Sequence, residues 1–269
     1  MDLGLADRTC VVTGASRGIG RASAAALLTE GARVLLVARG EEALAEAAAE
    51  LGSGGPGSAD RVATLALDVT APDAGGQVAA RCEESLGPVD VLVNNAGTSY
   101  NRPLEELEDA DWQAQWELHV MASLRLMRAT VPAMAERGWG RVVNVCSSSG
   151  KRPSLSNAAY SVTKAAQLSL SRVFADSYAD RGVRVNAVAP GPVETPLWLE
   201  EGGMADQAAA AQGASREEAL EAARGKVPIG RFGTAEEIAA AVAFLCSEAA
   251  SNVSGAAWSV DGGSVPIIL

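Results

Sequence analysis

The chain has 269 residues, 48% of them hydrophobic, and a formal net charge of −11. That length and composition can bury a large core, and α/β folds of this size are often a single domain. The negative charge works against nucleic acid or an anionic membrane as partners, because neither would find the basic footprint it needs.

Met1 to Arg8 lacks a basic segment leading into an apolar run, and no stretch approaches ~18 uninterrupted apolar residues, so a cytoplasmic protein without a membrane partner is expected. Cys10, Cys82, Cys146 and Cys246 stand singly and the chain has one histidine, so neither a disulfide framework nor a Cys/His metal site is indicated. The four cysteines read as small core residues.

Thr9 to Val12 is a short β-type run, followed by Thr13-Gly14-Ala15-Ser16-Arg17-Gly18-Ile19-Gly20 and an Ala/Leu-rich helix to about Glu30. A strand over Arg33 to Val37 and a helix over Glu41 to Leu51 come next. After an exposed Gly/Ser/Pro loop at 52–58, the pattern gives a strand from Arg61 to Leu67 and a helix from Gln77 to Ser85. Further strands are read at Val89 to Val93, Arg141 to Val145, Arg184 to Val188 and Ala257 to Val260. Apolar strands separated by helices imply a doubly wound α/β fold, a seven-stranded parallel sheet with helices on both faces. No repeat or linker divides it.

In the first turn, Gly14, Gly18 and Gly20 lie between a strand and a helix, where missing Cβ atoms let backbone approach a pyrophosphate at the helix N-terminus. The spacing is Gly-x-x-x-Gly-x-Gly, and alone it also fits an ordinary glycine turn. In Tyr160-Ser161-Val162-Thr163-Lys164 the phenol and ammonium are four positions apart, on one face if the segment is helical. A free phenol titrates near pH ~10, and a neighbouring cation favours its ionised form. Ser147 lies 13 positions before Tyr160. Alone, Tyr-x-x-x-Lys also fits a half-buried tyrosine beside a solvated lysine.

Taken together, Thr13 to Gly20, Asp68-Val69, Asn94 to Gly97, Ser147 with Tyr160 and Lys164, Pro190 to Thr195, and Val260 to Gly263 resemble the short-chain dehydrogenase/reductase family along essentially the whole chain. The resemblance implies a Rossmann-type fold. It also implies that Asp68 and Val69 border an adenine, that Asn95, Ala96 and Gly97 pass the cofactor ribose, and that Val193 and Thr195 meet the nicotinamide carboxamide, with Pro190 and Gly191 also among the cofactor-binding residues. Tyr160 would be the general acid or base, Lys164 would bind ribose and lower the Tyr160 pKa, and Ser147 would hold the substrate oxygen. Homotetramers are common in the family, and the apolar run Val265 to Leu269 is expected at a subunit interface.

After the second strand stands Ala38-Arg39, where an NAD-binding member would place a carboxylate on the ribose 2′-hydroxyl. Arg39, with Arg17 from the glycine turn, therefore favours NADP(H). The alternative is a pair of solvated arginines. His119 occupies the place of an Asn that in many members holds a relay water behind the lysine; it shares helical spacing with Trp112, Trp116, Ser123 and Met127, so it is expected to face inward. Water relay and plain core residue both stand as readings, and the relay version adds a titration near pH ~6.5.

Residues 196–226 are the least family-like part and are expected to form a substrate lid, with a surface helical hairpin as the alternative. The expected activity is NADP(H)-dependent hydride transfer between nicotinamide and a secondary alcohol or ketone of a small, largely apolar molecule. The related reading is a 3-oxoacyl-(acyl-carrier-protein) reductase, disfavoured because like charge slows encounter with an acidic carrier. A reading of another class is a non-catalytic NADP(H)-binding regulator.

Overall fold

β1 (Thr9–Thr13) is buried at every position, so it carries a continuous Cys-Val-Val run and no polar alternation. A computed structural model describes residues 2–53 and 59–267 of the chain. Most of the expected loop at 52–58 lies outside the described residues, as do Ile268 and Leu269 of the terminal run.

Around β1 the strands β2 (Arg33–Ala38), β3 (Val62–Ala66), β4 (Val91–Asn94), β5 (Gly140–Val145), β6 (Val183–Pro190) and β7 (Ala257–Val260) form one parallel sheet in the order β3-β2-β1-β4-β5-β6-β7. The order reverses between β1 and β4, and the crevice above their C-terminal ends is where such sheets bind ligands. Not every strand is buried on both faces. The edge strands β3 and β7 are only half-buried, because each has a neighbour on one side alone.

Helices α1 (Gly18–Thr29), α2 (Glu41–Leu51) and α3 (Ala74–Ser85) follow the first three strands, and α3 begins three residues before the Gln77 expected from sequence. α4 (Asp109–Trp116) runs into a π-helical turn at Glu117–Met121, from which α5 (Ala122–Glu136) continues. A single regular helix through His119 was expected. The wider turn instead shifts the inward face by a residue, so that Gln115 and His119 are buried while Trp116 is 39% exposed.

α6 (Ala158–Tyr178) spans 21 residues and buries one face against the sheet. Beyond β6, α7 (Pro196–Leu199), α8 (Met204–Gln212) and α9 (Arg216–Arg224) surround a satellite cluster of Ala205, Leu220, Val227 and Phe232. α10 (Ala235–Cys246) starts with a capping box in which Thr234 accepts from the Glu237 N–H and packs against α1. None of the described helices is long and apolar enough to cross a membrane.

Candidate active site

Ser147 follows β5 and caps the short turn Ser148–Gly150, its Oγ accepting from the Ser149 N–H at 3.1 Å. α6 then brings Tyr160 and Lys164 to the same wall, as their four-residue spacing requires. Lys164 is 3% exposed. It donates to Val145 O at 2.9 Å and to Gln167 Oε1 at 3.0 Å, while Lys164 also lines the cleft. Burial brings its pKa down to about 8. Withdrawal from water pushes the Tyr160 phenol up to about 12, with the Ser147 hydroxyl pulling the other way. Near neutrality the resting pair is therefore a protonated phenol beside an ammonium.

His119 is fully buried, as expected, but it is bonded to groups other than the lysine. Its Nε2 accepts from the Thr98 N–H at 3.4 Å, so the hydrogen sits on Nδ1, which lies 3.1 Å from Thr163 Oγ1. That hydroxyl donates onward to Tyr160 O at 2.9 Å, leaving its lone pair for the imidazole. The imidazole meets the Tyr160 ring edge-on, centroids 5.2 Å apart. Burial first, and the Lys164 charge second, hold its pKa well below 6.5. Gly97 makes room for it, since a Cβ there would stand 3.0 Å from His119 Nε2.

The three groups open onto a cleft of about 1010 Å3, at the upper end of what small-molecule pockets occupy. One end is lined by Gly14, Ser16, Arg17, Gly18 and Ile19, which carry the chain into the N-terminus of α1. Gly20 lies beneath, where a Cβ would collide with Gly14 O and Asn95 Nδ2, so the turn closes only on glycine. Asn95 Nδ2 ties it down by donating to Thr13 O at 2.8 Å, and Thr13 Oγ1 accepts from the Asn95 and Ala96 N–H groups.

Arg39, Asp68 and Val69 line the same end, and the Thr70 backbone N–H holds the Asp68 carboxyl below the usual carboxylate range. Pro190, Gly191, Val193 and Thr195 also line the cleft, as do Asn95, Ala96 and Gly97. This wall fits a dinucleotide: a turn without side chains at Gly14, Gly18 and Gly20 opens on a helix N-terminus, and an arginine replaces a carboxylate beyond β2. Arg17 is already paired with Glu200 just after α7, at 2.6 Å.

The other end of the cleft is mixed. Leu118, Leu197, Trp198 and Met204 are apolar, whereas Ser99, Ser149 and Asn157 are polar. Beside Tyr160 and Asn157 lies a side cavity of about 10 Å3, room for roughly one water. Gln115 lines it, 3% exposed, and its Oε1 has no hydrogen-bond partner. From α8, Gln207 Oε1 accepts from the Asn101 N–H at 2.8 Å and pins the loop after β4.

All the expected residues meet at this cleft except Gly20, which shapes it from below, and His119, which stands behind Tyr160. Residues not singled out from sequence are Thr13, Gln115, Asn157, Thr163 and Gln167. Gln167 sits one helical turn beyond Lys164, but a glutamine on a helix carries no signal until its partners are known.

A parallel sheet with a glycine turn at its switch point and a Ser/Tyr/Lys set beside it defines a nucleotide-dependent oxidoreductase acting on CH–OH/C=O groups. The family model described as Enoyl-(Acyl carrier protein) reductase matches residues 14–264. The chain is 36% identical over 256 residues to 3-oxoacyl-[acyl-carrier-protein] reductase FabG of Salmonella typhimurium, covering 95% of this chain and 96% of that one. It is 40% identical over 262 residues to galactitol 2-dehydrogenase (L-tagatose-forming) of Cereibacter sphaeroides, covering 96% and 95%. The crystal structure of L-sorbose reductase from Gluconobacter frateurii with NADPH and L-sorbose superposes with a TM-score of 0.91 at 38% identity, covering both chains fully. This chain belongs to the short-chain dehydrogenase/reductase family.

Proposed function

We propose that the protein interconverts a ketone and a secondary alcohol on a free small molecule with NADP(H). The observation that carries this reading is that Ser147, Tyr160 and Lys164 line one dinucleotide-sized cleft together with the glycine turn. When bound, the nicotinamide supplies or accepts the hydride.

The residues of this chain do the rest. In reduction the Ser147 hydroxyl orients the carbonyl oxygen, and Tyr160 gives that oxygen its proton as negative charge develops there. Lys164 stabilises the resulting tyrosinate and holds the ribose. Oxidation reverses each step. Arg39 and Arg17 would hold the 2′-phosphate, in keeping with the NADPH complex of the sorbose reductase. Gly14 to Gly20 would hold the pyrophosphate, Asp68 and Val69 the adenine, and Val193 and Thr195 the carboxamide.

Leu118, Leu197, Trp198 and Met204 favour a substrate with an apolar flank, and residues 196–226 would cover it as a lid. A second reading, a polyhydroxylated ketone, is favoured by Asn157 and the unpartnered Gln115 Oε1 beside Tyr160, and by the substrates named for the sorbose and galactitol enzymes. The net charge of −11 disfavours an acidic carrier, and the complete Ser/Tyr/Lys set disfavours a non-catalytic regulator. A cytoplasmic homotetramer is part of the same proposal.

The test is oxidation of NADPH, and separately of NADH, by the purified protein with apolar ketones, ketoses and a carrier-linked 3-oxoacyl thioester. Turnover of a free ketone, faster with NADPH, is expected. Turnover of the carrier-linked thioester alone would replace the substrate assignment, and no turnover despite NADPH binding would favour the regulator.

A further inference from the structure

Lys164 carries a charge in a place that offers it almost no water, and a buried ammonium persists only where its N–H groups find acceptors. Two acceptors reach it. Val145 O takes one N–H and Gln167 Oε1 a second, which leaves the third for the cleft that Lys164 lines. Gln167 is itself 1% exposed and bonded at both ends of its amide: its Nε2 donates to Ser123 Oγ at 2.8 Å, and that hydroxyl donates to His119 O in the π-helical turn at 2.9 Å.

Chemistry allows this amide only one orientation. An ammonium has no lone pair, so Oε1 must face Lys164, and the Ser123 hydrogen is committed to a carbonyl, so Nε2 must face Ser123. The bonds from Lys164 to Gln167, from Gln167 to Ser123 and from Ser123 to His119 O therefore all run donor to acceptor in one direction, an arrangement in which each bond polarises the next.

We propose that Gln167 is a positioning residue for the reaction, clamping the Lys164 ammonium through its side-chain oxygen and anchoring it through Ser123 to the π-helical turn. The inference rests on the ketone-reductase reading for its consequence in turnover, but the clamp itself is measured on Lys164. Charged and titratable groups facing that nitrogen are Tyr160 on its own helix, Cys146 after β5 and His119 in the π-helical turn. The phenol and thiol both titrate at about 12 and the imidazole well below 6.5, so near pH 8 only Lys164 changes charge.

The experiment measures the Lys164 pKa in the full chain by pH-dependent acylation read by mass spectrometry, alongside kcat and KM. Gln167→Met removes the acceptor at similar length, disfavours the ammonium and moves its titration to lower pH. Gln167→Glu sets a carboxylate against it and moves the titration to higher pH. With Gln167→Met, kcat falls by about tenfold or more, the loss of a hydrogen bond to a charged group, while KM for the ketone stays within about twofold. Opposite shifts support the clamp, since general loosening of the fold moves both variants one way. Identical Lys164 titration in wild type and both variants, or shifts of the same sign, overturns it. If Gln167→Met fails to fold, Gln167→Leu replaces it: a shift of the Lys164 titration to lower pH supports the clamp, and no shift or an upward one overturns it. A wild type without turnover refutes the reductase reading while the acylation result still judges the clamp.

Discussion

Tyr160→Phe removes one oxygen and leaves the ring that His119 packs against, so it separates proton transfer from binding. Turnover should fall by about 10²–10⁴, the span of general acid catalysis, with NADP(H) affinity from fluorescence titration held within about twofold. Retention of most activity would remove Tyr160 from the role. Lys164 sets the pH dependence. With the ammonium at about 8 and the phenol at about 12, kcat/KM for NADPH, which reports the free protein, should decline as pH rises through about 8 while Tyr160 is still an acid. A flat profile to pH 10 would contradict that order.

His119 should add no step near pH ~6.5, because its imidazole is already neutral there. His119→Asn, which can also donate and accept, should keep more activity than His119→Leu, which leaves the Thr98 N–H without its acceptor and the Thr163 oxygen without the imidazole donor. Equal rates in the two variants would make the imidazole a filler. Sequence could place Ser147, Tyr160 and Lys164 because one helix and one strand end determine their geometry. It could not say which way His119 points, since that depends on Thr98 and Thr163 from two other segments.

At the scale of elements, the strands were legible because most of them are predominantly apolar and glycines punctuate the chain between them. The π-helical turn was not, since an inserted residue in a helix leaves no compositional trace, and its effect is seen only in the exchange of Trp116 for Gln115 as the inward residue. Also invisible was the pairing of Arg17 with Glu200, which are 183 positions apart. Both side chains are exposed, so the pair itself contributes little. Its expected consequence is competition: the Glu200 carboxylate would oppose a 2′-phosphate approaching Arg17. Glu200→Gln should therefore tighten NADP(H) by roughly two- to fivefold, in line with the modest strength of exposed pairs, and leave NAD(H) unchanged. Arg39→Asp should act oppositely, weakening NADP(H) and favouring NAD(H). Equal changes for both cofactors in either variant would remove these arginines from phosphate selection.

For the whole molecule, assembly is read on α6, the helix that carries Tyr160 and Lys164. α6 turns Tyr160 and Lys164 inward, yet its outer face exposes Val162 at 49% and Val173 at 57%, eleven positions and about three turns apart on one side. Ser169 lies exposed between them and Ala166 half-buried, a stripe with no charge at these four positions in a chain whose net charge is −11. Ile267, last of the described terminal residues, is 46% exposed. Apolar side chains aligned along one helix face have most to gain from a second copy of the same face, since a two-fold axis sets each valine against apolar surface. The double substitution Val162→Asp and Val173→Asp should therefore lower the assembly state measured by light scattering, by placing like charges opposite one another. Both positions face away from the sheet, so the thermal transition of the separated chains should remain cooperative. A wild type that is monomeric at micromolar concentration, or a double variant that assembles unchanged, would show that this face of α6 is not where the subunits meet.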